Sequence, residues 1–151
     1  MQSSSHTGAS TESFSALPAV ASPSSGFISY ANFNLVIVDD ADVHIGDRVL
    51  FGPNVTITTA GHPVEPALRA DGSQYSVPVN IEDDVWIGGN AVVMPGVTIG
   101  EGSVIGAGSV VTRDIPSRVV AVGIPCRVAR PVGPEDQAFR FRRPGRAGRQ
   151  S

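Results

Sequence analysis

The chain contains no lysine; all eleven of its basic residues are arginine. None stands before Arg48, and seven fall between Arg127 and Arg149, so the positive charge gathers at the C-terminal end. That end points either to an anionic ligand nearby or to a solvated tail. The net charge of −3 gives no reason to expect a nucleic-acid partner. Cysteine is nearly absent as well. Cys126 alone cannot form an internal disulfide, which fits a reducing compartment. No apolar run approaches the roughly 20 residues that would span a bilayer, so no membrane association is expected. Residues 1–26 are rich in Ser, Ala and Thr and hold neither a basic segment nor an apolar one. They do not read as a secretory signal, and their lack of Arg argues against a mitochondrial transit peptide. The expected setting is cytoplasmic. Aromatics are scarce too, at 6%, against 17 Gly and 12 Pro, which favours short strands and many turns over long helices.

What the chain has in abundance is aliphatic residues in a fixed rhythm. Ile81, Ile87, Val93, Ile99, Ile105 and Val111 recur every sixth position. Four residues after each comes Val85, Ala91, Val97, Ser103, Ser109 or Ile115, again apolar or small. The same phase runs earlier through Ile45, Phe51 and Ile57, with Val49 and Val55 between them. A period of six suits a short strand plus a bend, repeated. In such a strand the anchor and the residue two positions before it point inward together. Three strands make a triangular coil, and coils stack through parallel backbone hydrogen bonds. Glycine following an anchor is expected to relieve crowding and to adopt the backbone angles of the corner. An ordinary β-sandwich of short strands is the competing architecture, and hairpins of varied length rarely keep six anchors in phase. The period alone does not fix the hand of the coil.

The chain divides accordingly. Residues 1–26 are expected to be a disordered leader with too little apolar surface to offset ordering entropy. The folded domain spans 27–132, interrupted over about 60–80 by an irregular stretch expected to protrude as a loop. Residues 133–151 form an Arg-, Gly- and Pro-rich tail, expected to be loose.

The repeat resembles that of the hexapeptide-repeat acyltransferases. The chain is most similar to the maltose, galactoside and nodulation-type sugar O-acetyltransferases of that superfamily. The segments that carry the resemblance are Tyr30–Asp40, Thr59-Ala-Gly-His-Pro63, Val85-Trp-Ile-Gly-Gly89, Ile105–Thr112 and Gly123–Arg130. The resemblance implies an all-β fold, a left-handed parallel β-helix, assembled as a homotrimer with active sites at the subunit interfaces. It implies acetyl-CoA as donor, a sugar hydroxyl as acceptor, direct transfer and no metal. Members of that family carry a further N-terminal segment that contacts the acceptor, and the Ser-rich leader stands in its place here.

Acetyl transfer from a thioester to an alcohol needs a base for the hydroxyl, donors for the oxyanion, a cleft for the pantetheine arm and contacts for phosphate. The resemblance makes His62, in Gly-His-Pro, the general base; an imidazole, ordinarily titrating at about 6.5, suits that task at neutral pH. A surface-loop histidine is the plainer alternative. The resemblance gives Asn32 a part in catalysis, as an amide that both donates and accepts, although a turn-forming Asn at a coil corner would look the same. Asp40 and Tyr30 are implied at the acceptor, with Asp39-Asp40 readable also as a solvated corner. Gly89, Ala107, Thr112 and Arg113 are implied along the coenzyme A groove. Arg127 and Arg130 are implied at its phosphates, where guanidinium forks fit, unless they merely balance surface charge. Trp86 is expected against ligand or a neighbouring subunit, or in structural packing. Cys126 is a poor nucleophile candidate because no histidine is near it in sequence.

Two other readings remain open. A β-helix trimer that is truncated or non-catalytic would fold without transferring anything. A metal-dependent hydratase on the same prism needs three histidines around the ion, and the chain has only His6, His44 and His62.

Overall fold

A computed structural model of the chain describes residues 13–14 and 28–138. The described residues fold as a left-handed parallel β-helix, a three-sided prism of stacked coils. Its first face carries Tyr30–Ala31, Leu50–Phe51, Trp86–Ile87, Val104–Ile105 and Val119–Gly123, closed by Cys126–Pro131. The second carries Leu35–Val38, Thr56–Thr58, Val92–Val93 and Val110–Val111. The third carries Val43–Ile45, Val79–Ile81 and Thr98–Ile99, with Ile115 bridged to Ile99. Neighbours within a face pair in parallel from coil to coil, Trp86 beside Val104 and Val92 beside Val110. Two edge pairs reverse: Val119–Gly123 runs antiparallel to Cys126–Pro131 on the first face, and Ser13–Phe14 antiparallel to Leu35–Val36 on the second.

The six-residue rhythm is the reason for this shape. Phe51, Ile57, Ile81, Ile87, Val93, Ile99, Ile105 and Val111 are all buried, as are the residues two positions before them, among them Val49, Val55, Val85, Ala91, Val97, Ser103 and Ser109. Each buried anchor stabilises the prism by roughly 1.5–3 kcal/mol. The two buried serines find partners inside: Ser103 Oγ donates to Pro116 O (2.7 Å) and Ser109 Oγ to Gly106 O (2.7 Å).

Two expectations are corrected. Ile45, in phase with the anchors, is 38% exposed. It belongs to the first coil, and among the described residues no strand pairs beyond it on the third face. The glycine after an anchor serves close approach only. A Cβ on Gly88 would stand 2.5 Å from the backbone nitrogen of Ala107 in the next coil. The left-handed backbone falls three residues after the anchor instead, at Asn34, Arg48, Asn54, Asp84, Asn90, Gly96, Gly102, Gly108 and Arg118.

These corner residues stack into edges. On the edge between first and second faces, Asn34 Nδ2 donates to Asn54 Oδ1 (2.9 Å). On the edge between third and first faces, Arg48 reaches Asp84 with Nε and Nη2 at 2.6 and 2.7 Å. That fork holds the Asp84 carboxyl below its ordinary value.

The irregular stretch does protrude. It leaves the second coil after Thr59, forms a small antiparallel hairpin of Ala60–Gly61 with Tyr75–Ser76, and carries a single helical turn over Pro66–Arg69. Of the expected leader, Ser13–Phe14 pair antiparallel with Leu35 and Val36; its remainder lies outside the described residues. Of the expected tail, Pro134–Gln137 form a short 3-10 turn, and residues 139–151 lie outside the described residues.

Candidate active site

The protruding loop is rooted by Thr59, which is fully buried. Its N–H and hydroxyl both donate to Val38 O, at 3.0 and 2.9 Å, and its hydroxyl accepts from Ala41 N–H (3.0 Å). Asp39 and Asp40, exposed, lie between those two anchoring points. Asp40 therefore shares the edge between second and third faces with the loop that carries His62. Thr112 and Arg113, both exposed, turn the same edge two coils further on.

His62 follows directly on the hairpin strand Ala60–Gly61 and is exposed. Its Nδ1 lies 3.0 Å from Ser73 O. A carbonyl oxygen only accepts, so Nδ1 carries a hydrogen in this contact; in a neutral imidazole that leaves the lone pair on Nε2. The loop that holds it is braced by polar contacts. Arg69 Nη1 donates to Pro63 O (2.9 Å) and Val64 O (2.6 Å), and Asp71 Oδ1 accepts from the hydroxyl (2.7 Å) and N–H (3.2 Å) of Ser73. The Ser73 hydroxyl, followed by its N–H, holds the Asp71 carboxyl below the usual range. Sequence reasoning did not single out Arg69, Asp71 or Ser73. The available signal was Asp-Gly-Ser, a turn-forming triplet.

Asn32 lies on a different edge, between first and second faces. It is half-buried, its N–H donates to Phe51 O (3.1 Å), and its Oδ1 accepts from Phe33 N–H (2.9 Å). Gly89 and Ala107 climb the same edge in successive coils, joined by the hydrogen bond from Gly108 N to Gly89 O (2.9 Å). The turn before Cys126 continues this strip, since Gly123 N donates to Ser109 Oγ (3.1 Å). Small residues thus line it from Gly89 upward, and Arg127 stands at its top, exposed, opposite Val122.

Within one chain the candidate residues are therefore split between two edges. Asn32, Gly89, Ala107 and Arg127 stand on one, Asp40, His62, Thr112 and Arg113 on the other, with the second face between them. Arg130 differs from Arg127. Its fork is already engaged, Nη1 on Asp136 Oδ2 at 2.7 Å and Nη2 on Asp136 Oδ1 at 2.9 Å, with Glu135 at 3.8 Å. That pairing pulls the Asp136 carboxyl down to about 2. Among the described residues, Arg127 makes a 2.7 Å bond to the neighbouring Cys126 O and no ion pair.

Tyr30 and Trp86 stand on the outer side of the first face, 59% and 53% exposed, in one register column with Leu50 between them. They form an apolar stripe on the outer surface. Cys126 is buried, and burial pushes its thiol up, away from nucleophilic use. His44 is exposed on the third face, His6 lies outside the described residues, and among the described residues no three His, Cys, Asp or Glu side chains gather as ligands. No described helix is long and apolar enough to cross a membrane.

Residues 78–113 match the family model of the bacterial transferase hexapeptide (six repeats). A galactoside O-acetyltransferase of Escherichia coli K12 is 58% identical over 113 residues, 75% of this chain and 56% of its own length. A solved galactoside acetyltransferase in complex with coenzyme A superposes with a TM-score of 0.73 at 57% identity, covering 75% of this chain and 56% of that one. A maltose O-acetyltransferase from Clostridium difficile 630 superposes at 0.67 with 51% identity, covering 68% and 55%. The chain thus spans little more than half the length of the relatives it matches.

Proposed function

From a chain that belongs to the hexapeptide-repeat transferases, we propose an enzyme that moves acetyl from acetyl-CoA to a sugar hydroxyl, with His62 as general base. The observation that carries this reading is the His62 ring, exposed on its loop, with Nδ1 committed to Ser73 O and Nε2 left to accept a proton. Nε2 takes the hydroxyl proton as the oxygen attacks the thioester carbonyl. The C–S bond then breaks, and the departing sulfur receives that proton from the imidazolium. The products are an acetyl ester and the free thiol, and no acyl-enzyme is formed. Asn32, with its oxygen on Phe33 N–H, has its amide N–H group for the developing oxyanion. Asp40 and Tyr30 contact the acceptor. Gly89, Ala107, Thr112 and Arg113 line the donor arm, and Arg127, with Arg130 beside it, meets its phosphates.

The proposal includes a homotrimer. Asn32 and His62 occupy separate edges, so a second copy must bring one set to the other. The stripe of Tyr30, Leu50 and Trp86 gives the chain apolar surface to bury in doing so. A cytoplasmic setting goes with the same reading. The competing reading is a β-helix trimer that transfers nothing. A thiol-release assay with acetyl-CoA against a panel of sugars separates the two. Acceptor-dependent release supports the enzyme; donor binding with no release on any sugar supports the non-catalytic form.

A further inference from the structure

His62 is held by a backbone carbonyl, and that carbonyl is held in turn. Ser73 lies across the mouth of the hairpin from His62, two residues ahead of Tyr75, whose partner is Gly61. Gly72 adopts the left-handed backbone (φ 85°), which turns the chain back over Asp71. There Asp71 Oδ1 takes both the N–H and the hydroxyl of Ser73, at 3.2 and 2.7 Å. One carboxylate oxygen thus holds Ser73 by its backbone N–H and by its hydroxyl, and the carbonyl of the same residue is presented to Nδ1 at 3.0 Å. Ser73 is itself half-buried, but its neighbours from Val64 to Gly72 and from Gln74 to Pro78 are all exposed, so no buried side chain next to it steadies the turn.

We propose that Asp71 is a positioning residue: through Ser73 it keeps the His62 hydrogen on Nδ1 and so reserves Nε2 for the acceptor hydroxyl. The inference rests on the reading of His62 as the base. A carboxylate suits this second tier because a charge-assisted bond holds the turn more firmly than a neutral one. Outer partners of this kind set both tautomer and ring orientation. A ring free to flip or to exchange its hydrogen would spend part of its time offering a donor where the reaction needs an acceptor.

The test uses the full-length chain and reads two quantities. Nitrogen-15 NMR of the imidazoles, at a pH where the rings are neutral, reports the tautomer; thiol release reports kcat and KM. In the wild type, His62 reads as the Nδ1–H form. In Asp71→Ala it shifts toward Nε2–H, kcat falls by roughly ten- to a hundred-fold, and KM for acetyl-CoA stays. Asp71→Asn keeps an acceptor oxygen in place and restores both readings. If Asp71→Ala leaves the ring in the Nδ1–H form, the inference is overturned, whatever happens to the rate. If the tautomer shifts while kcat holds, it is His62 as base that fails, and the role of Asp71 in setting the ring stands. The tautomer reading decides the matter even on a chain that acetylates no sugar.

Discussion

The stacked coils and the loop over residues 60–77 are built on opposite terms. In the coils every anchor from Phe51 to Val111 is buried and each strand pairs with the equivalent strand of a neighbouring coil. In the loop, from Val64 to Gly72, every residue is exposed, and the shape is held by single polar contacts such as those of Arg69 and Asp71. The coils gain order from repetition, so no one residue decides it. The loop has no repeat to fall back on, so individual side chains do. The proposed base, His62, sits where the repeat is broken, on a segment whose side chains no anchor position dictates.

Substitutions can separate the two regimes. His62→Ala should cut turnover by about 10²–10⁴-fold while the melting temperature and acetyl-CoA affinity hold; a matching loss of thermal stability would mean that the loop supports the fold after all. Ile99→Ala should do the reverse. It should cost about 2–5 kcal/mol in urea unfolding and leave activity per folded molecule unchanged. Arg127→Ala should raise the Michaelis constant for acetyl-CoA roughly ten-fold, the scale of one charge-assisted hydrogen bond, with kcat held. Arg130→Ala should raise it less, because Asp136 already holds that guanidinium; equal effects would contradict the assignment. The smallest effect concerns acid. Asp136 titrates at about 2 in the folded chain against an ordinary 3.8, so its ionised form ties the turn at Pro134–Gln137 to Arg130 at neutral pH. The tie is complete above about 3.8, weakens as pH falls below that value, and is lost through about 2. Carboxyl NMR should find the Asp136 midpoint raised in Arg130→Ala, with the Gly133 N–H still holding it below its ordinary value, and an unmoved midpoint would remove the pair as its main cause.

The prism was legible in the sequence because its cause is periodic. Ile81 to Val111 could be counted, and their burial follows from the count. The corners were misread in one respect. Glycine was expected to supply the left-handed backbone directly after the anchor, whereas Asn54, Asp84 and Asn90 supply it two positions later, a task asparagine and aspartate tolerate. Ile45 shows the limit of phase alone, since in the first coil an anchor in phase is still left 38% exposed. In the site, resemblance could nominate His62 and the arginines. It could not foresee that Ser73 would reach Nδ1 or that Asp136 would occupy Arg130. Both depend on how non-repeating segments fold back, and no spacing encodes that.

The reversed strand Cys126–Pro131 ends the parallel stack, since its antiparallel pairing uses up the edge to which a further coil would attach. The same strand bears Arg127 and Arg130. A ligand gripping those guanidinium groups would therefore press the lid onto the column, so that fraying of this end and release of the donor become one equilibrium seen from two sides.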